Sequence, residues 1–363
     1  MRPIRMLVPG NIRYNSGGNA YNARLARGLT TLGADVEVQA VDGSWPDASA
    51  RERRRLGSLL GAWEADAGAG AAVVIVDGLV AVGAPGELEY AARAGRTTWV
   101  LAHMVVPETY GAEAVAREAR AMRAASGVIG TSSSTAAVLK ERHGLARVHV
   151  ALPGVDPAPA AAGSRPPRII VVAALLPNKD QLLTVEALAM VKDLEWTAAL
   201  VGTDQADSDY AMDVRAAISR HRLEGRVELA GELTGNPLET EWHAADLSLL
   251  VSEAEAFGMV VTESLARGIP VVVREGTGAV EALGLAMLTA DDGGPRLPGA
   301  VVPLAAGDKE NPRRLAQVLR RWLEDPGTRR EWRTAAAEAR GRLPGWDRMA
   351  ATVLDALKAS GSP

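Results

Sequence analysis

Short apolar runs alternate with amphipathic stretches along most of the chain, a pattern that predicts parallel strands separated by helices. The first repeat comprises an apolar run over 4–8, a polar loop over 10–18, a helical pattern through Leu25 and Leu29, and an alternating run over 35–41. Further predicted elements of the first half are strands over 71–76, 97–101 and 127–130 and helices over 87–94 and 113–124. We expect a parallel sheet covered by helices on both faces.

The segment 157–167 interrupts this alternation, because its prolines and glycine cannot sustain a helix or a central strand. The alternation then restarts with predicted strands over 168–173, 198–201, 227–229, 247–251 and 270–273 and helices over 180–190, 211–221, 260–267, 312–324 and 346–357. We therefore predict an α/β protein with two doubly wound, Rossmann-like parallel-sheet domains. The N-terminal domain spans 1–156, a linker spans 157–167, and the C-terminal domain spans 168–342.

Length and composition agree with two ordinary globular domains. A chain of 363 residues suits two domains of about 100 to 200 residues each, and two domains imply a central cleft. The net charge of -4 argues against a nucleic-acid partner, whose phosphates require a basic surface. The absence of cysteine excludes disulfides and cysteine zinc sites and fits a reducing interior. With no long apolar stretch, we expect a cytoplasmic protein that neither is exported nor spans a membrane.

Ligands of open parallel sheets bind at the carboxyl ends of the strands, so residues just after strands are candidates for a site. Gly17 and Gly18 lie in the first such loop, before a helix whose N-terminal amides can face an anion. Turn formation alone also explains a glycine pair. A dinucleotide site is a weaker alternative, because the spacing is not G-x-G-x-x-G and Asp42 alone supports it little. His103 follows the predicted strand 97–101, although a lone histidine is more often structural.

The most informative segment is SEAEAFGMVVTESLARGIPVVV, at 252–273, where Glu255 and Glu263 stand eight positions apart. A strand is predicted to end at Val251, and a helix is predicted to begin near Met259. Amides at that helix start can hold a diphosphate or sugar hydroxyls. Glu255 and Glu263 can accept hydrogen bonds from sugar or ribose hydroxyls, although solvated helix charges are the alternative.

This segment resembles the signature of the GT-B glycosyltransferases and, within them, of the retaining family GT4 (glycosyltransferase group 1). The family pattern is E-x7-E in a setting like E-G-F-G-x-x-x-x-E-A-M-A-x-G-x-P-V, and the matching positions are Glu255, Phe257, Gly258, Glu263, Ala266, Gly268, Pro270 and Val271. Other segments that are similar to family motifs are SGGNAYNARLARGLTTLGADVEV, WVLAHMVVP, GVIGTSSSTAAVL, LPGVD and VELAGEL. Trp346 resembles the tryptophan with which such chains return, so a final helix within 343–363 is expected to pack on the first domain.

The resemblance implies a role for each matching residue. Glu255 would contact the donor sugar, Lys179 the diphosphate and Glu263 the ribose hydroxyls. His103 would lie near the sugar, and Gly17 and Gly18 would leave room for the diphosphate or acceptor. The remaining implied donor-binding residues are Phe257, Gly258, Met259 and Val260. His103, Glu255 and Lys179 are the implied catalytic residues.

The implied activity is retaining transfer of a sugar from a nucleotide-diphosphate sugar to a small-molecule or glycan acceptor. The acceptor is expected on the N-terminal domain, near 104–115. Neither a metal ion nor a cofactor is expected, because the one Asp-Ser-Asp sequence, at 207–209, falls in a predicted polar loop. A sugar-nucleotide epimerase of the same architecture and a non-catalytic paralogue that binds nucleotide sugars remain alternatives.

Two features depart from this simple picture. The family pattern G-R-L-x-x-x-K has an arginine where this chain has Ala174, so a second cation for the diphosphate must come from elsewhere, for example Arg13. The segment 50–63 places arginines beside leucines and Trp63 at helical spacing. A solvated face over a packed one is the preferred interpretation of that helix and of the basic run 312–322, and contact with an anionic membrane surface is the alternative.

Overall fold

The computed structural model describes residues 2–12, 16–63, 72–289 and 295–359. The backbone forms two compact units, one made of Met1–Gly154 with Gly345–Pro363 and the other of Val155–Pro344. They are called the N-terminal and C-terminal units below, and each contains its own parallel sheet. Their resemblance to one another follows from the alternation of strands and helices that the sequence shows in both halves.

The N-terminal unit contains a parallel sheet that has six strands within the described residues, in the order β2-β1-β3-β4-β5-β6. In chain order, its elements before the C-terminal unit are β1 (Ile4–Pro9), α1 (Gly17–Thr31), β2 (Val36–Val41), α2 (Ala50–Leu59), β3 (Val73–Asp77), α3 (Gly78–Gly83), α4 (Pro85–Arg93), β4 (Thr98–Ala102), α5 (Ala112–Ala124), β5 (Gly127–Gly130), α6 (Ser133–His143) and β6 (His149–Val150). Strands β3 and β4 are buried at every residue, because helices cover both faces of the sheet.

The C-terminal unit repeats this architecture with the strand order β14-β11-β10-β7-β8-β9. Its elements are β7 (Arg168–Val172), α7 (Gln181–Ala189), β8 (Thr197–Val201), α8 (Ser208–Arg220), β9 (Val227–Gly231), α9 (Gly235–Ala244), β10 (Leu247–Leu250), α10 (Met259–Ala266), β11 (Val271–Arg274), α11 (Gly278–Gly284), β12 (Leu288–Thr289), β13 (Pro295–Arg296), β14 (Gly299–Val302), α12 (Asn311–Glu324) and α13 (Pro326–Ala339). Strands β12 and β13 form a short antiparallel pair, whereas the pairs of the main sheet are parallel.

The last helix, α14 (Trp346–Ala359), belongs to the N-terminal unit. It packs closely on α1, since a Cβ atom added to Gly28 would lie 2.5 Å from Cβ of Ala350. The ring of Trp346 lies 6.2 Å from that of Tyr21 in an edge-on arrangement. The helix therefore covers one face of the first sheet, together with α1.

The segment 157–167, predicted as a linker, has no helix or strand but is packed within the C-terminal unit. The amide of Ala161 donates to the carbonyl of Arg267, and the amide of Ala162 donates to the carbonyl of His243. Arg333 and Arg340 donate to carbonyls of the same segment. These bonds satisfy backbone groups that irregular structure leaves without regular partners.

The helix predicted within 50–63 extends over Ala50–Leu59, and its leucines face inward. Leu56 and Leu60 are buried in the core of the N-terminal unit, whereas Trp63 is about half exposed and its ring lies 5.2 Å from that of Tyr90. The burial of the leucines supports the packed interpretation of this helix. None of the described helices is long and apolar enough to span a membrane.

Each sheet has a point where the chain switches from one side to the other. In the N-terminal unit it lies between β1 and β3, and in the C-terminal unit between β7 and β10. In folds of this kind, ligands bind at the carboxyl edge of the sheet, between the loops that follow these strands. Lys179 and Glu255 lie in the loops after β7 and β10, Gly17 and Gly18 begin the helix after β1, and His103 follows β4.

Candidate functional site

His103 directly follows β4, as predicted from the apolar run before it. Its Nε2 atom lies 3.0 Å from Oδ1 of Asn22 and 3.2 Å from Oδ2 of Asp77. Because a carboxylate and an amide oxygen both accept hydrogen bonds, Nε2 carries the proton in this arrangement. The backbone carbonyl of His103 accepts a bond from the hydroxyl of Thr131. The imidazole is thus oriented by one helix and two neighbouring strand ends.

Asp77, the last residue of β3, is the buried centre of this cluster. Its Oδ2 atom accepts a bond of 2.8 Å from the amide of Asn22, and its Oδ1 atom accepts a bond from the backbone N–H of Leu79. Burial by itself raises the pKa of Asp77, but the charge of His103 and the hydrogen bonds from His103, Asn22 and Leu79 outweigh it and lower the pKa below its ordinary value. Asp77 therefore stays ionised beside the histidine.

Gly17 and Gly18 are the first residues of α1 rather than part of the preceding loop, which corrects the prediction. Ser16 caps the helix by accepting a hydrogen bond from the amide of Asn19. A Cβ atom at Gly18 would lie 3.4 Å from Cδ2 of His103. This distance is an ordinary van der Waals contact, so the start of α1 packs directly beside the imidazole.

Lys179 and Glu255, from two different loops of the C-terminal unit, form an ion pair. Nζ of Lys179 lies 2.5 Å from Oε1 of Glu255, which also accepts a 2.8 Å bond from the hydroxyl of Ser252. The side chain of Lys179 is 23% exposed. An ammonium has three N–H donors, so the bond to Glu255 leaves donors that an anionic ligand can use.

Backbone contacts lock the two loops together. The amide of Glu253 donates to the carbonyl of Asn178 over 2.8 Å, and the amide of Gly278 donates to the carbonyl of Glu255 over 2.8 Å. A Cβ atom at Gly278 would lie 2.0 Å from the carbonyl oxygen of Ala256, so only glycine fits there. The position of Glu255 is therefore set by β7, β10 and α11 together.

The helix expected after this loop begins at Met259, as α10. Gly258 precedes it with φ 87°, in the left-handed region that favours glycine, and a Cβ atom there would crowd Leu250 and Ala279. Met259 and Val260 are the first helical residues, whose amides have no acceptor one turn earlier in the helix. Glu263 lies half-buried on the same helix. Phe257 is buried, so its side chain packs in the protein while its backbone precedes the helix.

Ala174 lies in the loop after β7, where the family pattern has arginine. Its carbonyl accepts a 2.9 Å bond from the side chain of Gln181, which is fully buried. The position is therefore occupied by backbone and a neutral amide rather than by a cation. Arg13, the suggested replacement, lies outside the described residues.

The segment 207–209 is not a polar loop, which corrects the prediction for the Asp-Ser-Asp sequence. Asp207 caps α8, since its side chain accepts a hydrogen bond from the amide of Tyr210, and Ser208 and Asp209 form the first turn. Across the described ranges, His, Asp and Glu side chains form no group of three or more suited to a metal ion. Metal independence stays a prediction.

The structure brings the predicted residues together in two groups, one in each unit. In the C-terminal unit, Lys179 meets Glu255 near the start of α10, and in the N-terminal unit Gly18 meets His103. Sequence reasoning missed Asp77 and Arg274, although both directly follow predicted strands and the argument used for His103 applies to them. It also missed Asn22, one turn after Gly18, for which no separate signal exists.

In the comparison with known protein families, one family model matches about half of the chain. Residues 156–339 match the family model described as glycosyl transferases group 1. Two D-inositol 3-phosphate glycosyltransferases are similar in sequence. That of Xylanimonas cellulosilytica is 28% identical over 270 residues, which are 69% of this chain and 60% of the relative. That of Kineococcus radiotolerans is 30% identical over 236 residues, 59% of this chain and 52% of the relative. The matches thus span between half and three-fifths of these relatives.

Solved structures resemble the chain over nearly its whole length. The Anabaena protein HepE in complex with UDP and glucose has a TM-score of 0.75 at 18% identity, covering 99% of this chain and 100% of that one. Sucrose-phosphate synthase from Thermosynechococcus elongatus has a TM-score of 0.73 at 19% identity, covering 99% of each chain. At such identities the likeness concerns the fold, and it confirms the predicted GT-B fold with its two parallel sheets.

Proposed function

Because the chain belongs to the group 1 glycosyl transferases, we propose that it moves a sugar from a nucleotide-diphosphate sugar to a small-molecule or glycan acceptor. The transfer retains the anomeric configuration and needs no metal ion. The acceptor binds on the N-terminal unit near 104–115. The retained configuration, the metal independence and the place of the acceptor are the parts of this proposal that go beyond the family assignment.

The observation that carries the proposal is the Lys179–Glu255 pair at the switch point of the second sheet. A cation with spare donors lies there beside Glu255, a carboxylate that comes shortly before the amides that begin α10. Such a site suits a ligand that has both phosphate oxygens and hydroxyl groups, because the first accept hydrogen bonds and the second donate them. A nucleotide-diphosphate sugar has both.

The chemical step breaks the bond between the sugar C1 and the diphosphate oxygen and forms a bond from C1 to the acceptor oxygen. Negative charge develops on the departing diphosphate, where Lys179 and the amides of Met259 and Val260 stabilise it. The acceptor attacks from the face that the diphosphate leaves, which retains the configuration, and the leaving phosphate takes the acceptor proton. Glu255 holds hydroxyls of the donor sugar, and Glu263 holds those of the ribose.

His103 contacts the sugar in this proposal, and Asp77 positions it. A buried carboxylate that stays ionised keeps the proton on Nε2 and fixes the orientation of the ring. Gly17 and Gly18 keep the beginning of α1 free of side chains. The donor is a substrate, and no separate cofactor is required.

Thermal-shift measurements with UDP, GDP, ADP and TDP test donor binding. A ligand at about 100 times its dissociation constant stabilises the folded protein by roughly 2.7 kcal/mol, which raises the melting temperature measurably. UDP is the first choice because HepE was solved with UDP and UDP-glucose. Inositol phosphates are the first acceptors to try, following the names of the sequence relatives. No shift with any of the four nucleotides would refute the proposal, and turnover of the donor sugar without an acceptor would point to an epimerase.

A further inference from the structure

Arg274, the last residue of β11, is a buried cation close to the Lys179 loop. It is 3% exposed, and its guanidinium forms an ion pair with Asp180. Its Nε atom is buried without a hydrogen-bond partner among the described residues. Burying a charge is unfavourable unless it is paired, and even a paired one is often no more stable than an apolar residue. The buried charge of Arg274 therefore lowers the free energy gained on folding. The contact that this charge makes in return is the ion pair with Asp180.

The ion pair crosses the end of a strand. Strand β10 lies between β11 and β7 in the sheet, and Asp180 follows β7. Arg274 therefore reaches past the loop after β10, and its Nη1 atom lies 4.0 Å from Oε1 of Glu253 in that loop. One guanidinium thus contacts both loops whose side chains form the Lys179–Glu255 pair.

Asp180 has an uncommon backbone conformation. It follows the short 3-10 turn Pro177–Lys179 and precedes α7 with φ 55° and ψ 41°, in the left-handed region that most residues other than glycine, asparagine and aspartate avoid. Burial raises the pKa of Asp180, although the charge of Arg274 opposes this. Without Arg274, the Asp180 carboxylate would lose its ion pair and keep the backbone hydrogen bond from Leu183, so the turn that presents Lys179 would be held less firmly.

We propose that Arg274 is a positioning residue for the diphosphate site, which holds Lys179 in place through Asp180. The inference rests on the proposed function, because it assigns the diphosphate to Lys179. It also explains how the chain functions with alanine at position 174: one well-oriented cation takes the place of two. Arg274 itself is too deeply buried to be the second ligand of the diphosphate.

The test is a mutant cycle read by the affinity for UDP, measured by titration calorimetry. Arg274→Met and Asp180→Asn should each weaken UDP binding by about tenfold, and the double variant should be no weaker than either single one. The double variant removes both charges and so avoids an unpaired buried carboxylate, which protects the fold. In a Lys179→Ala background, Arg274→Met should change the UDP affinity by less than about twofold, because there is no longer a lysine to position.

A matched control is Arg168→Met, at the amino ends of the strands of the same sheet and so opposite the carboxyl ends where Arg274 lies. Arg168 begins β7 and pairs with Glu241 over 2.8 Å, so its loss should lower the melting temperature and leave UDP affinity unchanged. If Arg274→Met weakened UDP affinity equally in the parent protein and in the Lys179→Ala background, the proposal would be overturned and Arg274 would be a direct ligand. Unchanged UDP affinity in the folded Arg274→Met variant would also overturn it. Failure of the parent protein to bind any of the four nucleotides would instead refute the proposed function itself.

Discussion

Nζ of Lys179 lies 2.5 Å from Oε1 of Glu255, although the two residues are 76 positions apart in the sequence. The pair joins the residue proposed for the diphosphate with the residue proposed for the sugar. Replacing either residue therefore changes the surroundings of the other. The first two predictions concern these two residues.

Lys179→Ala should cut transfer efficiency by on the order of tenfold to more than a hundredfold, since a hydrogen bond to a charged group contributes roughly 1.5 to 3 kcal/mol. Steady-state transfer with the best donor from the nucleotide screen measures this, alongside a melting curve that verifies folding. Lys192→Ala, at an exposed lysine after α7, is the matched control and should have no effect. An efficiency within about threefold of the parent would move the search to Arg13.

Glu255→Gln should lower turnover by about tenfold or more while the dissociation constant of the nucleoside diphosphate changes little. Glutamine keeps the shape of the side chain and an acceptor for Ser252, but it lacks the charge that faces Lys179 and the sugar. Turnover and UDP affinity should be measured on the same preparation. Normal transfer combined with poor UDP affinity would reassign Glu255 to the nucleotide.

His103→Ala should reduce transfer by about a hundredfold with the fold intact, because the proposed contact to the reacting sugar is lost. His221→Ala removes another histidine that pairs with a carboxylate, Glu186, at 2.8 Å, and it should leave transfer unchanged. Near-normal kinetics of the His103 variant would leave the imidazole with only a structural role.

Asp77→Asn should make the free energy of unfolding depend less on pH in the acid range. The folded-state pKa of Asp77 lies below the ordinary carboxyl value of about 3.9, so its ionised form stabilises the folded state above that pH. This contribution is lost as the pH falls through the lowered pKa. Urea unfolding from neutral pH down to about pH 3 should show that the free energy of unfolding falls more steeply for the parent than for the variant. Parallel profiles would contradict the assignment.

Chelation by EDTA should leave transfer almost unchanged, because Lys179 and the amides of α10 are proposed to stabilise the leaving diphosphate. The assay compares turnover with excess EDTA, with no addition, and with added magnesium or manganese. Activity that disappears with EDTA and returns with either metal would show that the electrostatic account is wrong.

Much of the fold could be predicted because most strands of the two main sheets leave a local apolar signature. The run 127–130 and strand β5 coincide, and the predicted start near Met259 coincides with that of α10. Short helices such as α3 and α11 were missed, because six or seven residues give too few turns for a clear period. Helix α8 begins three residues before its predicted start, since Asp207 caps it and its first turn is polar.

By itself, the sequence determined which residues follow strands, and so it pointed to His103 and Glu255 as candidates at the carboxyl edges of the sheets. Such information is local, because apolar periodicity and turn residues depend on neighbours in the chain. The tertiary structure alone decided their partners. Asp77 meets His103, and Arg274 meets Asp180, only because of the order in which strands lie side by side. That order depends on packing between distant segments, and no local pattern encodes it.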